Sequence, residues 1–173
     1  MTLDMRRKIY KWVCLGALMF VSVILETTLL SGIRLFSTSP SLIPFIVATI
    51  ALWEGAEDGM IAGLIGGIML DAIYSGHEGF YIIVLSLFAF LVCIMNTFLY
   101  RRNYGMAILD WLAIIVAMHL LQYCLYMLLA GRGGIISLLY VIPGEALTTV
   151  PFTPFLYLIT RRIIIHFDRL DDF

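Results

Sequence analysis

The chain has 173 residues, of which 62% are hydrophobic and 13% charged, and its mean hydropathy is +1.00. An ordinary soluble domain is about half apolar and a quarter charged, so a water-soluble fold could not hide this much apolar surface. A net charge of −1 supplies no basic field to capture phosphates, which excludes nucleic acid as a partner.

The amino-terminal MTLDMRRKIYK leads into an apolar stretch, as in a signal peptide. Residues 12–30 are, however, long enough to cross about 30 Å of hydrocarbon, and no small-x-small site precedes the polar turn, so this stretch is expected to remain as an anchor. The first span is predicted over residues 9–30 and ends at SGIRLFSTSP. Residues 41–53 and, after EGAEDG, 59–73 form two short segments, each covering roughly 20 Å as a helix. Two long spans follow at 80–100 and 106–129, separated by RRNYG. The last, 135–159, contains Pro143, Pro151 and Pro154 and is expected to be kinked or broken.

These segments leave no room for a separate soluble module, so residues 1–173 read as one integral membrane domain. The predicted fold class is an all-α polytopic membrane protein, with about six transmembrane helices in one compact bundle. A re-entrant hairpin over 41–73 is the alternative to two short spans.

If the spans alternate, nine basic residues fall on one side: Arg6, Arg7, Lys8, Lys11, Arg101, Arg102, Arg161, Arg162 and Arg169. Only Arg34 and Arg132 fall on the other. Lys and Arg bias a loop toward the cytoplasm, so both termini are expected there. The carboxy-terminal IIIHFDRLDDF combines apolar and charged residues in a way that suits a membrane surface. Cys14, Cys93 and Cys124 each lie in an apolar run, where a thiol acts as a small hydrophobe.

The most specific local pattern is Gly55, Gly59, Gly63 and Gly67 at four-residue spacing, with Ala62 and Gly66 beside them. Helices in lipid associate through close backbone approach, which small residues at this spacing permit. The row drifts around a helix of 3.6 residues per turn, so one stretch can touch two neighbours. Packing within the chain and a partner surface are both open readings. Asp71 ends the same segment. It is either an interfacial carboxylate capping the following turn or a polar anchor in a pocket or subunit contact. The spacing of Asp71, His77 and Glu78 matches no metal-ligand pattern, and no metal or cofactor is expected.

Glu26, His119 with Gln122 three residues on, and Glu145 are polar residues inside apolar runs. Such residues face the bundle interior and pair with one another, or mark a functional contact. Glu145 follows Pro143 and Gly144, where freed backbone groups need partners. No nucleophile elbow, phosphate loop, zincin motif or Cys–His pair is present, so no enzymatic activity is expected.

The run PSLIPFIVATIALWEGAEDGMIAGLIGGIMLDAIYSGHEGFYIIVLSLFAFL resembles the rod shape-determining MreD family. That family shows an extended entry into a short apolar segment, a glycine turn, a Gly-rich helix ending in Asp, a Ser-Gly-x-x-Gly-like turn and a long apolar helix. ETTLL at 26–30 and PFTPFLYLITRRI at 151–163 resemble the end of the family's first helix and its closing proline-containing helix. Near Glu26 the family often carries a neutral amide instead. The resemblance implies a non-enzymatic scaffold of the bacterial elongation machinery in the cytoplasmic (inner) membrane. It would bind MreC directly, with MreB, RodA and a transpeptidase in the wider complex and a homo-oligomer possible, and would help organise lateral peptidoglycan synthesis and rod shape. The family's fold is similar to the substrate-binding components of energy-coupling-factor transporters, which makes a vitamin-binding component the alternative. Those components commonly carry Ala-x-x-x-Ala in the first span, where this chain has Ala17 flanked by Val13 and Val21.

Overall fold

The computed structural model describes residues 3–29, 40–74, 79–99, 103–130 and 135–171. Among these the regular structure is entirely helical. The helices are α1 (Leu3–Ile24), α2 (Ile43–Glu54), α3 (Ala56–Ile73), α4 (Phe80–Leu99), α5 (Tyr104–Ala130), α6 (Ile135–Thr149) and α7 (Thr153–Asp171). A π-turn, Leu25–Leu29, continues α1, and a 3-10 turn, Val150–Phe152, joins α6 to α7.

The centre of the bundle is α2. Every residue from Ile43 to Leu52 is buried, and the helix touches α1, α3, α4, α5 and α7. Its sequence, IPFIVATIALWE, has no polar face to turn outward. The one hydroxyl, on Thr49, is satisfied by donating to the Phe45 carbonyl at 2.9 Å. Around this axis the other helices bury narrow stripes at helical spacing: Leu15, Met19 and Ser22 on α1; Ala107, Trp111, Ile114, Ile115 and Met118 on α5; Thr153, Leu156, Tyr157, Thr160 and Ile164 on α7. The Phe45 ring meets the edge of Trp111 at 5.9 Å between centroids.

The outside is as apolar as the inside. Ile83 and Phe155 are each 67% exposed and Met95 65%. Lys8–Thr28 and Tyr104–Leu125 are long and apolar enough to cross a membrane, and only 28% and 33% of them is buried in the bundle. An outer surface of this kind is at home in lipid rather than water.

Two boundaries differ from the sequence-based expectation. The break between α2 and α3 needs one residue, Gly55, at φ 116° and ψ −177°. α3 therefore begins at Ala56 and is 18 residues long. The predicted last span, 135–159, is two helices: Pro143 stays inside α6, while Val150–Phe152 tightens into the 3-10 turn around Pro151. Pro154 then falls in the first turn of α7, where its missing N–H costs nothing. From there α7 runs unbroken to Asp171, so the terminal IIIHFDRLDDF is helix up to that residue.

Candidate functional site

The glycine row lies between α2 and α4. A Cβ added at Gly59 would sit 2.7 Å from the Ala51 Cβ, and one at Gly66 2.8 Å from Cγ2 of Ile43; both neighbours belong to α2. At Gly63 it would be 2.6 Å from the Ser86 Cα, and at Gly67 it would strike the Ile82 Cα, both on α4. The row thus forms a seam that turns from α2 at Gly59 to α4 at Gly63 and Gly67, while Gly66 beside it faces α2, and Ala62 is buried on the same helix. Gly55 takes no part in the seam. A Cβ there would meet nothing within 4 Å, and its requirement is the positive φ of the α2–α3 turn.

Asp71, at the end of α3, caps α4. Its Oδ2 accepts from the Gly79 amide at 3.1 Å and the Ile82 amide at 3.3 Å, and its Oδ1 from the Tyr81 amide at 3.1 Å. A helix begins with amides that have no partner of their own and a partial positive charge, so one carboxylate answers both. His77 and Glu78 lie outside the described residues.

At the same end of the bundle, polar side chains from four helices meet the amino terminus of α2. Glu26, in the π-turn, accepts from the Leu42 amide at 3.3 Å and from the Tyr74 hydroxyl at 3.2 Å. The Ser41 amide donates to Thr149 Oγ1 at 3.1 Å, and the Thr149 hydroxyl in turn donates to the Glu145 carbonyl at 2.8 Å. His119 Nε2 lies 3.2 Å from Glu145 Oε2, while its Nδ1 is 3.0 Å from the Ile115 carbonyl. Glu26 and Glu145 are 3% and 6% exposed, and both are drawn to the amino terminus of α2. Hydrogen-bond donors around the positive end of α2 offset the cost of burying them. Gln122, half-buried one turn along α5 from His119, joins none of these contacts. The cluster is internally bonded, and among the described residues no group of three His, Cys, Asp or Glu could hold a metal.

The opposite end of α2 is held by charge. Lys11 Nζ pairs with Glu54 Oε2 at 2.6 Å, and the Arg161 guanidinium lies over the Trp53 ring, 5.3 Å from its centroid. α1 and α7 are thereby tied to the same helix end.

Sequence reasoning passed over these contacts and one more. Asn96 Nδ2 donates to Asp110 Oδ2 at 2.6 Å, joining α4 to α5 with Asp110 7% exposed. The signal was present: both residues stand seven positions from Asn103, the register that an antiparallel helix pair turning there brings together.

The family model described as rod shape-determining protein MreD matches residues 6–163, a stretch that includes the glycine seam, the Asp71 cap and the polar cluster. Searches of curated proteins and of solved structures each returned no significant match. A match running from the first turns of α1 into the middle of α7 covers nearly the whole chain, and the chain belongs to the rod shape-determining MreD family.

Proposed function

We propose that this protein is a non-enzymatic, multi-pass scaffold of the elongation machinery in the bacterial inner membrane, binding MreC directly and helping to organise lateral peptidoglycan synthesis. Family membership carries the role in rod shape determination. MreB, RodA and a transpeptidase would belong to the wider complex. The observation that carries the reading is the family match over residues 6–163. The internal bonding of the polar groups supports it, because side chains that satisfy one another are suited to holding a shape and not to turning over a substrate. Binding to such a rigid body would bias the conformation or assembly of a partner.

In this reading α1 to α5 each cross the membrane and α6 with α7 completes a sixth crossing, with both termini in the cytoplasm. The meeting of Lys11, Glu54, Trp53 and Arg161 at one end, and of Glu26, Ser41 and Tyr74 at the other, supports that alternation. The likeness in fold to substrate-binding components of energy-coupling-factor transporters remains part of the proposal. No observation favours vitamin binding.

Affinity purification in mild detergent tests the function. Co-purification of a bitopic partner with a periplasmic domain is the expected result. Recovery of an ATPase pair instead, or transport of a vitamin by the purified chain, would overturn the scaffold reading.

A further inference from the structure

We infer that the first turns of α1 form a binding site for an anionic phospholipid, with the lipid phosphate on Lys8 and an acyl chain along Trp12 and Val13. The starting observation is a shallow surface groove of about 440 Å³ lined by Lys8, Ile9, Trp12 and Val13. Its lining is almost wholly apolar, and Lys8 is the one lining residue among the four that carries a charge. Ile9 and Val13 are 46% and 60% exposed, whereas Trp12 is half-buried and packs against the core. One wall of the groove is therefore fixed by the fold, while the others are open to whatever surrounds the bundle.

The order of chemistry along the groove matches one class of occupant. α1 enters the apolar part of the bundle in the direction of increasing residue number, so Lys8 lies outermost and Trp12 and Val13 lie one turn deeper, about 6 Å along the axis. Charge outside and hydrocarbon inside is the polarity of a phospholipid at the membrane interface. A second copy of the chain or a partner helix would present apolar residues along the whole length and leave the ammonium facing hydrocarbon.

Charge fixes the headgroup. Lys11, about one turn deeper than Lys8, is committed to Glu54, and Arg161 is stacked on Trp53. Lys8 makes no ion pair among the described residues, and Arg6 and Arg162 are exposed at the same end. The acidic groups at that end include Asp4, one turn before Lys8 in the sequence of α1, and Asp168 and Asp171 late in α7. Among the described side chains they are Asp110, bonded to Asn96, Glu54, held by Lys11, and Glu57 and Asp58 on the first turn of α3. None of these last four lines the groove. A cation with an apolar channel leading inward from it selects an anionic headgroup over a zwitterionic one, since basic pockets at the headgroup level recruit acidic lipids.

The test uses the intrinsic fluorescence of the full-length chain in vesicles. Trp111 is fully buried and Trp53 is covered by Arg161, so the Trp12 signal is obtained as the difference between the natural chain and Trp12→Phe. Phosphatidylglycerol brominated on its acyl chains should quench Trp12 more effectively than brominated phosphatidylcholine. The expected preference is about fivefold in apparent association, the size that one cation contributes at a membrane surface. Lys8→Gln should abolish the preference and Lys8→Arg should keep it. Native mass spectrometry of the natural chain and Lys8→Gln gives an independent reading, with phosphatidylglycerol retained by the first and lost from the second. Equal quenching by the two lipids, or a preference that survives Lys8→Gln, would overturn the site. Quenching by neither lipid, with Trp12 becoming accessible on dilution of the protein, would assign the groove to a second copy and equally overturn it.

Discussion

Gly63 lies against the backbone of Ser86 so closely that a methyl group at the glycine would come within 2.6 Å of the serine Cα. The obstacle is main chain rather than the far end of a flexible side chain, so relief requires α3 and α4 to move apart. Gly63→Ala is expected to cost about 1 to 3 kcal/mol, and Gly63→Leu more, as overpacking of a tight contact does. Ile83→Leu, on the exposed face of α4, is the control and should be near neutral. Membrane abundance and thermal stability in detergent check the order. Wild-type behaviour of Gly63→Leu would show that the seam is looser than its geometry.

Asp71 offers a graded test of helix capping. Asp71→Asn keeps one acceptor oxygen but puts an amide group opposite backbone donors, and Asp71→Leu removes every acceptor. Both variants should fray the first turn of α4, with Leu the more severe by about 1 kcal/mol or more. Amide hydrogen exchange at Gly79, Tyr81 and Ile82 reads the effect directly, since these amides are the donors. Unchanged protection in Asp71→Leu would remove the cap from the account.

His119 and Glu145 should behave as a coupled pair. Replacing either removes a buried contact and leaves the other polar group without that partner, so the single variants His119→Phe and Glu145→Gln should each destabilise. The double variant should destabilise by less than their sum. A coupling of about 0.5 to 3 kcal/mol is typical of residues in one network. Strict additivity in a chemical-denaturation cycle would mean that the 3.2 Å approach contributes nothing to stability.

The proposed topology has its own measurement. In a thiol-free background, single cysteines at positions 33, 77 and 132 should react with an impermeant reagent from outside, and those at 57, 103 and 170 should not. Labelling of position 103 in intact spheroplasts would invert the orientation. Protection of position 57 from both sides would favour a buried hairpin over two crossings.

Much of the helix placement could be read from the sequence, because runs of apolar residues punctuated by EGAEDG and RRNYG leave few alternatives. The glycine row was readable for the same local reason: its four-residue spacing and its drift are properties of a single helix. Gly55 was less so, since it shares the spacing of the row and only backbone conformation distinguishes a turn from a seam. Glu26 and Glu145 could each be recognised as unusual in an apolar run, but they stand 119 positions apart. Nothing local indicates that both converge on the amino terminus of α2. The continuation of α7 beyond Arg161 and Arg162 was not legible, because basic residues mark where a span is expected to leave an apolar layer and not where its helix ends. Lys11 was assigned to orientation alone, and its pairing with Glu54 depends on which helices become neighbours.

The complete enclosure of α2 has a consequence for how the chain matures. Its flanks are closed partly by α5 and α7, which leave the ribosome well after α2 itself. During synthesis the central helix must therefore wait, with Phe45 lacking its Trp111 neighbour, until the later helices arrive. Contacts between segments so far apart in sequence form late and slowly. A chain interrupted after α4 would accordingly retain the α2–α3–α4 seam but expose the far side of its own axis, a natural signal for membrane quality-control proteases to tell unfinished copies from finished ones.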